Sequence, residues 1–342
     1  MRGRWILGGL EATWRMLSLG RGFHGLKVGL TYLLARLKLG WSIPAYPLFL
    51  GVEPTTACNL RCPHCISGLR GFTRPMGRLD PLLLEALLEE VHPYLWGVLF
   101  YFQGEPLLHP EIGRLILLVS RYNLLSSLST NGHFLSEEHC YELITAGLTH
   151  LRVSLDGMTP ESYQRYRRGG NLEVVQEGVK RLLLMRRRMR SRFPLVELQF
   201  IAFRHNIHEI SAFRTWAKAV GVDYFRIKTA QLLSPTSDAY DEWIPEEFSR
   251  YEKGEKGTVR LKGKLPNRCW RLWRAAEVTW DGQVVPCCFD KNAQHGFGSL
   301  QTQPFSQIWR SSKAHAFRQR VFQARESIDI CRNCSEGVRT WV

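Results

Sequence analysis

The sequence predicts an α/β protein whose first part is a partial (β/α)6 TIM-like barrel and whose last part is a small cysteine-rich domain. Six short apolar segments alternate with helical segments between Pro47 and Lys228. Such alternation implies right-handed crossovers and a parallel sheet. The apolar segments are nearly continuous, as strands covered on both faces require. Six units are too few to close an eight-stranded barrel, so we expect a partial one.

The first strand is predicted over 48–53, and a cysteine-rich loop follows it directly. Asp80-Pro81 predicts a helix cap followed by proline in the first turn of a helix that runs to Val91. The further strands are predicted over 97–102, 124–129, 151–155, 195–203 and 224–228. The further helices are predicted over 110–122, 136–146, from 160, from 171 into a basic run, and over 207–220.

The composition is that of a globular protein, with 44% hydrophobic and 23% charged residues in a chain of 342. We divide the chain into four parts. They are a basic amphipathic N-terminal helical extension over 1–46, the barrel over 47–232, a linker over 233–264 and the cysteine-rich domain over 265–342.

The formal charge of +15 is concentrated in residues 1–40 and in the run from Lys180 to Arg192. In the first stretch five leucines recur at helical spacing: Leu26, Leu30, Leu33, Leu34 and Leu37. This pattern fits a helix packed against the barrel, and it also fits a helix that lies on an anionic membrane surface.

We find neither a secretory signal nor an apolar span long enough to cross a membrane. Eight of the nine cysteines lie in short-spaced groups or near one another late in the chain. These spacings favour reduced, metal-binding thiols over disulfides, and we therefore expect a cytoplasmic protein.

Three cysteines crowd the loop after the first strand, in Cys58-Asn59-Leu60-Arg61-Cys62-Pro63-His64-Cys65. Thiolates are the preferred ligands of iron–sulfur clusters and of zinc. Three cysteines leave one position open, as a catalytic centre requires, although they also fit part of a zinc site. In a barrel-like parallel fold this loop lies at the carboxyl edge of the sheet, where active sites occur.

Polar and glycine-rich segments follow the next three strands at the same edge. They are Gln103-Gly104-Glu105-Pro106, Ser129-Thr130-Asn131-Gly132 and Ser154-Leu155-Asp156-Gly157. Glycine allows a close approach of the backbone to a ligand, and we expect an exposed Glu105 carboxylate that accepts from an ammonium group. Each segment alone is ordinary turn chemistry.

Together, CNLRCPHC, QGEP, STNG and VSLDG resemble the motifs of radical SAM enzymes, in that family's order, over about residues 47–230. The resemblance implies a 4Fe–4S cluster held by Cys58, Cys62 and Cys65. It also implies S-adenosylmethionine, which reduction cleaves to a 5′-deoxyadenosyl radical that abstracts a hydrogen atom. His64 corresponds to a residue near the adenine and is not a ligand.

The resemblance also implies which residues bind S-adenosylmethionine. They are Gly104 and Glu105 for the amine, Ser129, Asn131 and Ser154 near the ribose, and Arg167 for the carboxylate. Arg168 is an alternative to Arg167. Gln103 stands where the family usually has glycine, and the main-chain contact does not depend on that side chain.

A second group of cysteines lies in the C-terminal part: Cys269, Cys287, Cys288, Cys331 and Cys334. Such spacing also occurs in zinc sites. Beside a radical SAM domain it resembles the SPASM and twitch extensions, which bind auxiliary 4Fe–4S clusters. Five cysteines do not supply two full sets, so we expect one auxiliary cluster on Cys269, Cys287, Cys331 and Cys334. Cys288 is an alternative to Cys287.

Three residues are weak candidates for a catalytic role. Cys140 lies within a helix, where a buried apolar role competes with that of a hydrogen-atom donor. Arg226 and Lys228 end the sixth strand and face either the cavity or the helices. In the cavity they would bind an anionic substrate or accept a proton.

The resemblance implies an enzyme that carries out a net oxidation with help from the auxiliary cluster. The one-cluster arrangement is similar to that of radical SAM alcohol dehydrogenases, which favours a small polyol or sugar as substrate. A peptide-modifying maturase is the alternative. We expect a flavodoxin or ferredoxin as reductant, and peripheral membrane contact through the N-terminal helix is the alternative to its packing against the barrel.

A basic nucleic-acid or membrane-binding protein with structural metal is the alternative from another class. The motifs at the sheet edge have no role in such a protein, so we expect no nucleic-acid partner.

Overall fold

The computed structural model describes residues 18–40 and 46–338. The predicted N-terminal extension therefore falls partly outside the described residues. Its described part contains helix α1, Leu19–Arg36, which includes four of the five periodic leucines; the fifth, Leu37, directly follows the helix.

The predicted alternation of strands and helices is confirmed. The strands are β1 (Phe49–Val52), β2 (Gly97–Phe100), β3 (Leu125–Thr130), β4 (His150–Ser154), β5 (Leu195–Ala202) and β6 (Tyr224–Thr229). The helices between them are α2 (Ile66–Leu69), α3 (Pro81–Val91), α4 (Ile112–Arg121), α5 (Glu137–Thr145), α6 (Pro160–Tyr166), α7 (Leu172–Arg188) and α8 (Ile210–Val220). Asp80 caps α3 through a hydrogen bond from the Leu82 amide, as the Asp-Pro pair predicts.

The six strands are parallel and lie in sequence order, which is the arrangement of a partial (β/α)6 barrel. The main hydrophobic core lies between the sheet and the outer helices, with Leu50, Phe100 and Leu128 fully buried. Cys140 of α5 belongs to this core and is also fully buried, as expected of a small apolar residue. A hydrogen donor must reach the substrate, and Cys140 has no exposed surface from which to do so.

The C-terminal region adds three strands to the same sheet. Strand β9 (Ala275–Val278) pairs parallel with β1, β10 (Gln283–Val285) pairs antiparallel with β9, and β11 (Gly298–Ser299) continues this edge. Gly282, in the turn between β9 and β10, has φ +82°, a value that favours glycine. The small cysteine-rich domain is thus continuous with the barrel through one nine-stranded sheet.

The segment predicted as a linker is more structured than expected. It contains α9 (Ser237–Trp243) and an antiparallel hairpin of β7 (Tyr251–Lys253) and β8 (Val259–Leu261). The remaining helices are α10 (Arg271–Arg274), α11 (Phe305–Trp309), α12 (Ser312–Ala324) and α13 (Asp329–Arg332).

The basic run on α7 is partly structural. The buried Arg186 guanidinium donates to the Asp223 carboxylate and to the Pro194 carbonyl. Arg181 donates to the Leu135 carbonyl at 2.6 Å. These two side chains therefore stabilise the packing of α7. The basic run is not simply a solvent-exposed charged surface.

A buried ion pair joins three segments at the end of β1. Both Glu53 oxygens accept from the Arg74 guanidinium, at 2.5 and 2.8 Å, and the Glu53 side chain has no exposed surface. Arg74 also donates to the Lys291 carbonyl, and the Trp280 amide donates to Glu53. The pair thus connects β1 with the segment after the cysteine loop and with the C-terminal hairpin.

We expect Arg74→Met to destabilise the protein by about 3–5 kcal/mol, because it leaves the Glu53 carboxylate buried without its cation. The matched control is Arg114→Met, which breaks the half-exposed pair with Glu111 and should cost at most about 1 kcal/mol. Urea denaturation of the cofactor-free protein measures both. Equal losses in the two variants would contradict the structural role of the Glu53–Arg74 pair.

Candidate active site

The first cysteine loop folds tightly after β1. The Cys65 amide donates to the Cys62 carbonyl at 3.2 Å, and α2 begins at the next residue. Gly68 of α2 lies against the loop, and a Cβ added there would come within 2.4 Å of the Cys62 nitrogen. A glycine at position 68 therefore allows α2 to approach the backbone of Cys62 closely.

The three thiols are at least partly buried and interact with one another electrostatically. Cys62 is buried, whereas Cys58 and Cys65 are half-buried. Burial is the largest cause that raises the pKa of the Cys58 thiol to about 12, and the charges of Glu105, Cys65 and Cys62 contribute to the same shift. Clustered thiolates are thus unfavourable here without a cation to share their charge, which fits a metal-cluster site.

The second predicted segment packs directly against this loop. The Gly104 amide donates to Ser67 Oγ at 2.9 Å, and the Glu105 amide donates to the Ala57 carbonyl at 2.7 Å. Gly104 has φ +73°, and a Cβ there would lie 2.1 Å from the Thr55 carbonyl oxygen. Glycine is therefore needed at position 104 both for its conformation and for the close contact.

The expectation of an exposed Glu105 carboxylate is wrong. The side chain is buried and accepts from the Asn131 amide and the Thr130 hydroxyl, each at 2.7 Å, and from the Leu107 amide. Burial raises the pKa of Glu105, and these hydrogen bonds oppose the shift. The carboxylate connects the ends of β2 and β3, which places the predicted ligand-binding segments in register.

The other predicted cofactor-binding residues lie at the carboxyl ends of β3 and β4. Ser129 and Ser154 are half-buried there. Asn131 Nδ2 donates to Asn59 Oδ1 at 2.7 Å, which joins the third segment to the cysteine loop. The structure therefore brings these residues together at the sheet edge that holds the three cysteines.

The two candidate arginines differ in position. Arg167 Nη1 lies 3.9 Å from Cys62 Sγ, and Arg167 Nε donates to Asp156 Oδ2 at 2.7 Å. Arg168 is exposed and meets the loop through its carbonyl, which accepts from the Arg61 amide. The geometry favours Arg167 as the cation of the site.

Asp156 is a candidate site residue to which the sequence assigns no role. It is fully buried, and its second oxygen accepts from the Ile201 amide at 2.6 Å. Burial opposes the charge of Arg167, but the Asp156 carboxylate and Cys62 hold the Arg167 pKa above its usual value. In the sequence Asp156 is recognisable only as part of an Asp-Gly pair after β4, and such a pair predicts a turn.

Arg226 and Lys228 face the inner side of the sheet. Their neighbours Phe225 and Ile227 pack against the main core on the opposite side. Arg226 Nε lies 3.2 Å from Glu197 Oε1, and Arg152 Nε lies 3.1 Å from Glu197 Oε2. The sequence left the orientation of Arg226 and Lys228 open, and the structure places both with Arg152 on the cavity side.

These cations outnumber their anionic partner. Glu197 has its pKa lowered, since hydrogen bonding from His150 and the charge of Arg152 outweigh its desolvation. Desolvation and the nearby Arg152 lower the pKa of Lys228 to about 8. The two arginines keep this wall positively charged at and above neutral pH, and protonated Lys228 adds a further charge below about pH 8.

Four cysteines of the second group surround one small cavity of about 80 Å³. They are Cys269, Cys287, Cys331 and Cys334. Cys288 does not line this cavity; its electrostatic neighbours include Arg271, Glu277 and Lys291. Of the two adjacent cysteines, the structure therefore favours Cys287 as the ligand. Four cysteine side chains around one cavity fit the ligand set of one cluster.

Arg325 is a second candidate site residue that the sequence does not indicate. Its buried side chain donates to the carbonyls of Pro266, Arg268 and Glu336, and Nη2 donates to Cys334 Sγ at 3.4 Å. Burial raises the pKa of Cys331 to about 11, and the Arg325 charge opposes that shift. A cation in this position stabilises a negatively charged cysteine cluster. No local pattern around Arg325 predicts this contact.

Two family models match the chain. Residues 52–187 match the radical SAM superfamily, and residues 269–335 match SPASM, an iron–sulfur cluster-binding domain. PqqA peptide cyclase of Gluconobacter oxydans is 27% identical over 320 residues, which cover 88% of this chain and 86% of the relative.

Solved structures show the same fold. Streptococcus suis SuiB bound to precursor peptide SuiA has a TM-score of 0.63 at 13% identity, and the match covers 93% of this chain and 77% of SuiB. BtrN in complex with AdoMet and 2-DOIA has a TM-score of 0.51 at 19% identity, covering 85% of this chain and 94% of BtrN.

We expect Cys287→Ala to remove the auxiliary cluster, because the variant lacks one of the four sulfurs around the cavity. Cys288→Ala is the matched control and should keep it. Iron analysis and low-temperature EPR of the reconstituted proteins measure the difference, which should be about four irons per chain. Loss of the cluster in Cys288→Ala but not in Cys287→Ala would overturn the assignment.

Proposed function

This chain belongs to the radical SAM superfamily and carries a C-terminal SPASM domain, and from that premise we propose that it oxidises a substrate with an anionic group. Its cofactors are a 4Fe–4S cluster, S-adenosylmethionine and auxiliary iron–sulfur clusters. When bound, these groups would supply a 5′-deoxyadenosyl radical for hydrogen-atom abstraction and an acceptor for one electron. The observation that carries the proposal is the positive inner wall beside the three-cysteine loop.

The residues of the loop would hold the first cluster and its ligand. We assign Cys58, Cys62 and Cys65 to the cluster. Arg167 supplies a fixed positive charge next to Cys62, and Asp156 orients its guanidinium. This charge suits the carboxylate of S-adenosylmethionine, and the backbone of Gly104 and the hydroxyls of Ser129 and Ser154 line the same edge.

The inner wall would bind and orient the substrate. Arg152 and Arg226 share Glu197 as partner, and Lys228 adds a further positive charge. A carboxylate or phosphate of the substrate would therefore be attracted to these side chains. In its neutral form, which its lowered pKa of about 8 makes accessible, Lys228 would instead accept the proton that a substrate hydroxyl loses when the substrate radical gives up its electron.

The four cysteines Cys269, Cys287, Cys331 and Cys334 would hold one auxiliary cluster, with Arg325 as its cation. A single set of ligands favours a small anionic polyol or sugar derivative as substrate. A flavodoxin or ferredoxin would supply the electron that starts the reaction.

An acidic peptide is the second candidate substrate. The similarity to PqqA peptide cyclase over most of the chain favours it, as does the fold shared with SuiB bound to precursor peptide SuiA. The positive inner wall fits an acidic side chain as well as a small anion. Deuterium transfer from labelled candidates of either class into 5′-deoxyadenosine distinguishes between them.

We expect the anaerobically reconstituted protein to hold about eight irons per chain and to cleave S-adenosylmethionine under reduction. Cys62→Ala should abolish cleavage because it removes a ligand of the first cluster. Cys331→Ala should retain most of the cleavage but form no oxidised product. Chromatography of 5′-deoxyadenosine and product measures both, and bound zinc without cleavage would contradict the proposal.

We expect Lys228→Met to raise the KM for the substrate about tenfold or more, because a charge-assisted contact is lost. In the wild type KM should also rise above about pH 8, where the Lys228 ammonium loses its charge, and this rise should be absent in the variant. Lys218→Met, at an exposed position on α8, is the control. Identical pH profiles for wild type and Lys228→Met would exclude Lys228 from substrate binding.

A further inference from the structure

Helix α1 exposes a continuous apolar stripe on the surface of the protein. Val28 and Ala35 are fully buried, and Arg21, His24 and Thr31 share that face. The opposite face carries six large apolar side chains whose exposed fractions lie between 46% and 96%. They are Leu19, Phe23, Leu26, Leu30, Leu33 and Leu37. Their spacing of three or four residues places them in one row along the helix.

The helix is held so that this row faces outward. The Arg21 guanidinium donates to the carbonyls of Tyr122 and Asn123 at 2.8 and 3.1 Å. The ring of Tyr32 packs against Trp270 and Trp273 of the C-terminal part. The face of the helix that packs against the barrel is therefore not the leucine face. Four of the five periodic leucines remain exposed.

The surroundings of the stripe are positively charged. The sequence contains no acidic residue between Glu11 and Glu53. Lys27, Arg36 and Lys38 are exposed on or just after the helix. A second copy of the chain would bring an equally cationic surface to this face, which costs electrostatic free energy. An anionic lipid surface offers both an apolar interior for the leucines and a negative charge for the lysines and arginine.

We propose that α1 docks the enzyme on a bilayer that contains anionic lipid, with the leucine stripe in the acyl region and the flanking cations at the headgroups. This contact is peripheral, because none of the described helices is long and apolar enough to cross a membrane. The proposal is independent of the substrate.

The position of α1 also fixes the orientation of the docked enzyme. The Trp96 indole donates to the Arg21 carbonyl, and Trp96 immediately precedes β2. The helix thus lies at the amino-terminal edge of the sheet, whereas the cysteine loop lies at the carboxyl edge. Docking through α1 would leave the active site facing away from the lipid and open to substrate and reductant from the aqueous side.

The test compares binding of the reconstituted full-length enzyme to vesicles of phosphatidylcholine and of phosphatidylcholine with phosphatidylglycerol. Wild type should sediment with the anionic vesicles, and high salt should weaken this binding. The variant Phe23→Glu/Leu26→Glu/Leu30→Glu should lose binding by more than about tenfold, because three apolar side chains no longer enter the bilayer.

A matched control carries the same three added charges elsewhere: Leu82→Glu/Leu117→Glu/Tyr141→Glu, all at exposed apolar positions of the barrel helices. It should bind vesicles as wild type does, apart from the small effect of net charge. Circular dichroism and cleavage of S-adenosylmethionine show that both variants are folded, so a failed vesicle test remains separate from a failure of the proposed function.

Three results would overturn the proposal. Equal vesicle binding by the two triple variants would show that the stripe is not the contact. A wild-type dimer that the α1 variant dissociates, without vesicle binding, would assign the stripe to a second copy. Hydrogen exchange that shows α1 protected by residues 1–17 in the absence of lipid, without vesicle binding, would assign it to the chain itself.

Discussion

Strand β1 is hydrogen-bonded along both of its edges, to β2 on one side and to β9 on the other. A strand in this position has no free edge and little freedom to move, because both neighbours are parallel and in fixed register. Gly51 leaves room for the buried Glu277 side chain on β9, because a Cβ at position 51 would lie 1.5 Å from a carboxylate oxygen of Glu277. The chemistry of the protein depends on this shared strand.

The shared strand determines where both cysteine groups lie. The first group follows β1 directly, and Cys287 and Cys288 follow the β9–β10 hairpin that is attached to β1. The Glu53–Arg74 pair reinforces the connection, since Arg74 also donates to the Lys291 carbonyl. The first cysteine group and Cys287, which are more than two hundred residues apart in sequence, therefore both follow strands of one sheet.

The strand order of the barrel and the position of the first cysteine loop could be predicted from the sequence, because alternation and near-continuous apolarity are local patterns. The contacts that complete the site are not local. The buried Glu105 carboxylate accepts hydrogen bonds from a hydroxyl and an amide at the end of the next strand. Arg325 donates to three backbone carbonyls and to the Cys334 sulfur. The outward-facing leucines of α1 were also ambiguous, since spacing defines a stripe but not which side of the helix is covered.

The central claim is that the two cysteine groups hold two separate iron–sulfur clusters on this sheet. Anomalous diffraction from crystals of the reconstituted protein, measured on both sides of the iron absorption edge, tests it most directly. We predict two iron sites, one beside Cys58, Cys62 and Cys65 and one among Cys269, Cys287, Cys331 and Cys334. A single iron site, or a zinc signal at the second position, would contradict the claim.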